Sequence, residues 1–289
     1  MEIIQSFNKV NSETMKQIRE LEVVCKTFDH LHGTITLNSP LNFDSSMKNV
    51  FLLYNEQNQM VSALSVFMPT KQEAEISGYT LPEFRQRGYF QRLLKEALTE
   101  LRKYSPIDLL FICEPQSSSG KEVIKKNRAY LDFTEYTMRF NGLIKDFPRR
   151  HGMEMKLLQA KDEDLESIIA VSQQAFHEEY EDAKSMISKT LDSENRTQYF
   201  ATYHDQVIGI GSVLFKENEA VVFGLGISEL EQGKGFGKEL LLLILNEIYN
   251  RGVQNISLEV NSRNHRAFSL YSKFGFDVVS SFDYYRKTI

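Results

Sequence analysis

Two stretches decide how this chain is read: Gln232-Gly-Lys-Gly-Phe-Gly237, and Asn261-Ser-Arg-Asn-His-Arg-Ala-Phe-Ser-Leu-Tyr-Ser-Lys-Phe-Gly-Phe276. The first lies between an apolar strand-like run and a helix-like one. Its glycines let the backbone turn tightly and leave N–H groups uncovered, and the helix N-terminus adds partial positive charge. Together they make an anion site suited to a pyrophosphate, with Lys234 and Lys238 at its rim. Two other phosphate motifs fail. A dinucleotide fingerprint needs a third glycine where Lys238 or Leu240 stands, and around Gly120-Lys121 a P-loop is broken by Pro115 and Glu122. Alone, a Gly-rich turn is as readily a plain turn. The second stretch adds weight. It follows a strand ending Leu258-Glu259-Val260. Asn264 is placed to cap a short helix, Ala267, Leu270 and Tyr271 share one face, and Gly275 stops the helix before a strand opens at Phe276.

Sliding the chain against itself exposes a repeat of domain size. The run Leu81-Pro-Glu-Phe-Arg-Gln-Arg-Gly-Tyr-Phe90 resembles Ser228-Glu-Leu-Glu-Gln-Gly-Lys-Gly-Phe-Gly237, with Gly88 and Gly235 147 positions apart. Upstream of each run lies a β-hairpin pattern, Phe51–Tyr54 with Val61–Phe67 and Tyr199–Tyr203 with Val207–Phe215, at an offset of 146. Downstream of each comes an amphipathic helix, Gln91–Lys103 and Lys238–Tyr249, then a short strand, Asp108–Cys113 and Asn255–Val260. Leu240–Leu245 is apolar all round and predicts burial on several sides. The charged segment Lys145–Gly152, with Pro148, reads as a linker. A strand at Met153–Leu158 and a helix at Asp164–Phe176, capped by Asp162 or Asp164, open the second half. The fold class is α/β (α+β): two tandem domains, residues 1–148 and 149–289, each a mixed central sheet flanked by helices.

The pattern Gln-x-x-Gly-x-Gly followed by Asn-x-x-Ala-x-x-Leu-Tyr-x-x-x-Gly-Phe resembles the GNAT acyl-CoA N-acyltransferases, and the likeness covers residues 153–289 in element order. It implies acetyl-CoA, or a related acyl-CoA, as co-substrate and an amine as acceptor. It also implies roles for residues. Backbone groups of Leu225, Gly226 and Ile227 hold the pantetheine arm and the thioester carbonyl. The turn Gln232, Gly233, Lys234, Gly235, Phe236, Gly237 and Lys238 holds the pyrophosphate. Asn264 and Ala267 lie along the arm, and Tyr271 sits near the sulfur. The chemistry is compatible: a neutral amine attacks the thioester, a base takes its proton, an N–H receives the oxyanion, and a phenol stabilises the leaving thiolate. Glu259 is the candidate base, because ribosomal-protein N-terminal acetyltransferases of this family have a similar Leu-Glu-Val strand. A structural ion pair is the competing role for Glu259, and a core residue for Tyr271.

The first half has the same outline with eroded chemistry. Pro82, Arg85 and Gly88 fit the turn pattern, but Phe90 stands where Gly or Ala is usual. Placing Asp132-Phe133 on Gly275-Phe276 sets Arg128 at the position of Tyr271, so no tyrosine would face a thiol. A non-catalytic copy is expected, as in tandem members such as mycothiol synthase. The acidic run His177–Asp182 is expected to be a solvated face rather than an acceptor site, and it lacks the second histidine of a zinc motif. His30 and His32 are two histidines without further ligands, and no metal is expected.

Bulk properties agree. The chain has 289 residues, 42% hydrophobic and 25% charged, with net charge -5; that is ordinary globular composition and argues against nucleic acid as main partner. Cys25 and Cys113 have no metal-ligand spacing and read as buried thiols of a reducing compartment. No apolar run approaches a membrane span, and Met1–Gln17 has no signal-peptide pattern. A cytoplasmic enzyme acting on a primary amine is the expectation. A non-catalytic acyl-CoA or small-ligand binding protein, and a peptide or protein N-terminal acetyltransferase, are the alternatives.

Overall fold

The computed structural model describes residues 2–37, 40–144 and 154–288. The chain forms two compact units, residues 1–134 with 281–289, and residues 135–280. It passes between units within two strands, β6 (Tyr130–Phe140) and β12 (Phe276–Thr288). The boundary expected at 148/149 and the linker Lys145–Gly152 lie outside the described residues, as does Met153.

In the first unit, β1 (Ile3–Phe7), β2 (Val50–Tyr54), β3 (Met60–Phe67) and β4 (Glu73–Thr80) pair antiparallel in sequence order. Then β4 pairs parallel with β5 (Asp108–Cys113), and the end of β12 closes on β5, Asp283 opposite Cys113. Helices α1 (Ser12–Asp29) and α2 (Tyr89–Leu101) both contact β3, which is why Met60–Val66 is an unbroken buried run. Asn11 caps α1 by accepting from the Thr14 amide at 2.8 Å, and His30 in left-handed backbone ends it. Helix α3 (Ser118–Asn127) follows β5.

The second unit repeats the order. The strands β7 (Lys156–Gln159), β8 (Arg196–Tyr203), β9 (Gln206–Phe215) and β10 (Glu219–Ile227) are antiparallel neighbours. β10 pairs parallel with β11 (Asn255–Asn261), and β11 pairs antiparallel with β6, Glu259 opposite Thr137. Helices α4 (Leu165–Phe176) and α5 (Tyr180–Leu191) lie between β7 and β8 in the chain; α6 (Phe236–Asn250) and α7 (His265–Lys273) follow β10 and β11. Leu240, Leu241, Leu242, Ile244 and Leu245 of α6 are buried, as the apolar run predicts. They pack with Met138 and Phe140 of β6 and with Leu258 and Val260 of β11 in one core. α4 and α5 build a second, smaller core with Phe200 and Ile210.

Segment by segment, β5, β11, α2 and α6 fall within two residues of the predicted bounds. Asp164 precedes α4, but its carboxylate reaches back to the Lys161 amide at 2.9 Å rather than capping forward. The acidic run is mostly helix punctuation: His177 ends α4 in left-handed backbone, and Glu181 and Asp182 fill the first turn of α5.

Candidate active site

In the second unit the site is a gap between two parallel strands. β10 and β11 pair only from Glu219 to Val222 and from Asn255 to Leu258. Beyond that the strands separate. On its other side β10 slips register against β9 between Phe223 and Gly226, a one-residue bulge at Gly224 and Leu225. A bulge turns a strand and leaves backbone groups outside the ladder. The result is a cleft of about 140 Å³ lined by Leu225, Glu259, Asn264, Ala267 and Tyr271, with Phe176 at its edge.

The predicted phosphate turn lies at the end of β10. Gly233 and Gly235 have φ of +76° and +95°, conformations that other residues adopt at a cost. A Cβ on Gly233 would meet nothing within 4 Å, so the backbone faces open space. A Cβ on Gly237 would lie 3.9 Å from both Ile227 and Leu270, beginning to fill the space between β10 and α7. Gln232 donates from Nε2 to the Ile227 carbonyl at 3.1 Å, tying the turn to the strand end. Lys234 pairs with Glu231 at 3.0 Å and the Lys238 ammonium lies 5.8 Å from the Phe274 ring centre. The turn therefore fits an extended phosphate-bearing molecule through its backbone, with Gly237 keeping the path toward Tyr271 clear.

Asn264 caps α7 as predicted, its Oδ1 accepting from the Ala267 amide at 3.0 Å. Tyr271 is 7% exposed. Burial pushes its pKa up to about 12, so it stays protonated at neutral pH. Glu259 is open to solvent at the mouth of the cleft, yet protein walls displace much of the bulk water around it. Desolvation first, then repulsion from Glu135, raises its carboxyl to about 7; Lys216 opposes the shift. Glu135 stands opposite Asn261 on β6, a diagonal neighbour of Glu259 on the same face. Sequence reasoning missed Glu135, because it sits before the linker and nothing in its local pattern ties it to β11.

The first unit keeps the scaffold of this site. β4 and β5 pair only from Glu73 to Ile76 and from Asp108 to Phe111, then separate. Arg85 repeats Gln232, donating from Nε to the Thr80 carbonyl at 3.0 Å. Ser117 repeats Asn264, accepting from the Gly120 amide at 3.2 Å. These pairs all lie 147 positions apart, which sets Ile112 at Glu259 and Ile124 at Tyr271. The alignment through Arg128 is thus corrected: Arg128 is the left-handed residue ending α3, the counterpart of Gly275. β4 also lacks the bulge, its register against β3 running unbroken from Ser62–Thr80 to Phe67–Glu75.

Residues 162–276 match the model of the acetyltransferase (GNAT) family. That match lies within the second unit. Its relatives include a [ribosomal protein bS18]-alanine N-acetyltransferase of Haemophilus influenzae, 38% identical over 76 residues, 26% of this chain and 51% of that protein. The chain thus spans about half the length of that relative. A mycothiol acetyltransferase of a Nocardioides species is 23% identical over 228 residues, 70% of this chain and 76% of that protein. Among solved structures, a GCN5-related N-acetyltransferase from Sphaerobacter thermophilus superposes with a TM-score of 0.79 at 17% identity, covering 99% of this chain and 95% of the other. A tandem GNAT protein from the clavulanic acid pathway gives 0.73 at 14% identity, covering 100% and 98%. These last two establish the tandem GNAT fold. No helix among the described residues is long and apolar enough to cross a membrane, and no cluster of three metal-ligating side chains occurs among them. Cys25 and Cys113 are buried free thiols, each pushed to about 11 by burial.

Proposed function

We propose that the second GNAT unit transfers an acetyl group from acetyl-CoA to a primary amine by direct attack. The observation that carries this reading is the placement of Glu259 and Tyr271 on one cleft, opened by the bulge and the parting of β10 and β11. In this reading the pyrophosphate rests on the N–H groups of the Gly233–Lys238 turn. The arm runs past Gly237, Asn264 and Ala267, and the thioester lies at Leu225–Ile227. A backbone N–H freed by the bulge receives the carbonyl oxygen as it gains charge, a donor already in place and needing no reorganisation.

Glu259 takes the proton of the attacking amine. A carboxyl near pKa 7 is half ionised at neutral pH and is a stronger base than an ordinary glutamate, which suits general-base work. Tyr271 donates a hydrogen bond to the departing thiolate. With its pKa near 12, well above a thiol's ordinary value of about 8.5, it stabilises the thiolate without surrendering its proton. Glu259 and Glu135 on one face favour a cationic amine arriving at the mouth. The likeness to the ribosomal-protein alanine acetyltransferases supports an amine acceptor as well. The test is a screen of primary amines and N-terminal peptides with acetyl-CoA, following release of free thiol. Turnover with at least one amine, lost in the double variant Glu259→Gln/Tyr271→Phe, is the expected result. Acetyl-CoA binding without turnover on any amine would favour a binding protein instead.

A further inference from the structure

A cavity larger than the cleft of the second unit lies in the first unit, where Glu259 and Tyr271 have no reactive counterparts. The gap between β4 and β5 encloses about 590 Å³, within the range of small-molecule pockets. Two features separate it from the cleft of the second unit. Its open end is bridged by the chain. The loop after α1 is held across the separated strand ends by Tyr79, whose hydroxyl donates to the Gly33 carbonyl at 2.8 Å, and by Glu114, which accepts from the His32 and Gly33 amides at 2.7–2.9 Å. Buried Glu22 fixes the same loop through the Ile35 amide at 2.5 Å. A molecule in this cleft therefore meets a wall where the second unit offers an acceptor mouth.

The phosphate turn has changed as well. Its backbone keeps the same shape, Gln86 and Gly88 at φ +62° and +80°. But Gln86 brings a side chain where Gly233 has none. Phe90 replaces Gly237, and its ring lies in the cleft, 3.1 Å from where a Cβ on Gly78 would stand. Gln91 replaces Lys238. Arg87 is laid on the Phe84 ring, 5.0 Å from its centre, and donates to the Glu83 carbonyl at 3.0 Å. The charged lining residues balance: Arg85 is paired with Asp29 at 2.6 Å, and Glu122 and Lys126 are one turn apart on α3. The remaining walls are mainly aromatic and aliphatic, interrupted by the hydroxyl and amide groups of Ser77, Thr80, Gln86, Gln91 and Ser117.

We propose that the cleft of the first unit is a binding pocket for an uncharged, mainly apolar small molecule. An anion gains little there, because the turn has lost a lysine and its approach is filled by Phe90. An apolar body gains the walls of Phe90, Phe111, Ile112 and Ile124.

The test uses the full chain and Nile red, a neutral apolar dye with a ring carbonyl, followed by fluorescence. The expected result is saturable binding at one equivalent, unaffected by saturating acetyl-CoA. Val123→Trp, at the partly exposed cavity wall on α3, should weaken it at least about tenfold. Circular dichroism confirms that the variant is folded. Absence of saturable binding overturns the proposal. So does displacement of the dye by acetyl-CoA, which would make this cleft a second acyl-CoA site, or a folded Val123→Trp protein that binds the dye as well as the parent. None of these outcomes depends on whether the second unit has acetyltransferase activity.

Discussion

The two units share a scaffold and differ at the atoms that matter for chemistry. Both separate a parallel strand pair, both tie the turn to the strand end with a side-chain donor, Arg85 or Gln232, and both cap the following helix with a short polar residue, Ser117 or Asn264. Yet Glu259 and Tyr271 have two isoleucines as counterparts, Ile112 and Ile124, and only β10 has the bulge. The lesson is that the splayed sheet is a fold property, kept by packing, while in the proposed mechanism reactivity rests on two side chains and one inserted residue. The carboxyl and phenol carry a cost: both are desolvated, and isoleucine at those positions packs without it.

The largest effect should come from cutting the chain. A fragment of residues 149–289 lacks Glu135–Phe140, the stretch of β6 that pairs with β11 and puts Met138 and Phe140 into the second core. Losing two core residues and baring the edge of β11 should leave it insoluble or unfolded. A fragment of residues 135–280 should fold and bind acetyl-CoA. Equal behaviour of the two fragments, by circular dichroism and calorimetry, would show that β6 is dispensable.

Next in size is Tyr271→Phe. It removes one hydroxyl and keeps the ring against Phe276, 5.9 Å between centres. We expect kcat to fall by about 10²–10⁴-fold with the Kd for acetyl-CoA nearly unchanged, because the lost interaction belongs to the transition state. An unchanged kcat would leave the freed backbone donor as the main catalytic group. Gly235→Glu places a carboxylate in the turn at φ +95°, and should weaken acetyl-CoA at least about tenfold by calorimetry. Full affinity in a folded variant would put the pyrophosphate elsewhere.

A smaller effect concerns stability. Because the folded protein holds Glu259 above its ordinary pKa, the folded state binds the proton more tightly than the unfolded chain. The stabilisation this gives is present at pH 4 and lost as pH rises through about 7. Glu259→Gln should therefore raise the melting temperature relative to the parent at pH 8 and change it little at pH 4. The same difference at both pH values would mean that Glu259 is not held in a desolvating site.

The sequence made the scaffold legible because its signals are local. Gly235 and Gly88 mark turns whose backbone needs left-handed residues, Asn264 a cap, and Leu240–Leu245 a buried helix. What it hid was long-range. Nothing near Glu135 announces that it will lie diagonal to Glu259 on the neighbouring strand, and nothing near residue 283 announces that the end of β12 returns to the first unit and closes on β5. The misplacement of Arg128 has the same origin. A Gly-Phe pair and an Asp-Phe pair look alike in sequence, whereas the caps at Ser117 and Asn264 fix the true register. The bulge at Gly224 and Leu225 is one residue in a strand and has no sequence mark of its own.

The central claim is that Glu259, held near pKa 7, takes the proton in a reaction confined to the second unit. The most direct measurement is the pH dependence of kcat/KM for the best amine of the screen, in the parent and in Glu259→Gln. The parent should lose activity as pH falls through about 7, where Glu259 becomes protonated and can no longer accept a proton. In the variant that bend should vanish, with the rate lowest relative to the parent near neutral pH and recovering partly at high pH, where solvent already deprotonates the amine. The same bend in Glu259→Gln, or a loss of rate equal at every pH, would contradict the assignment.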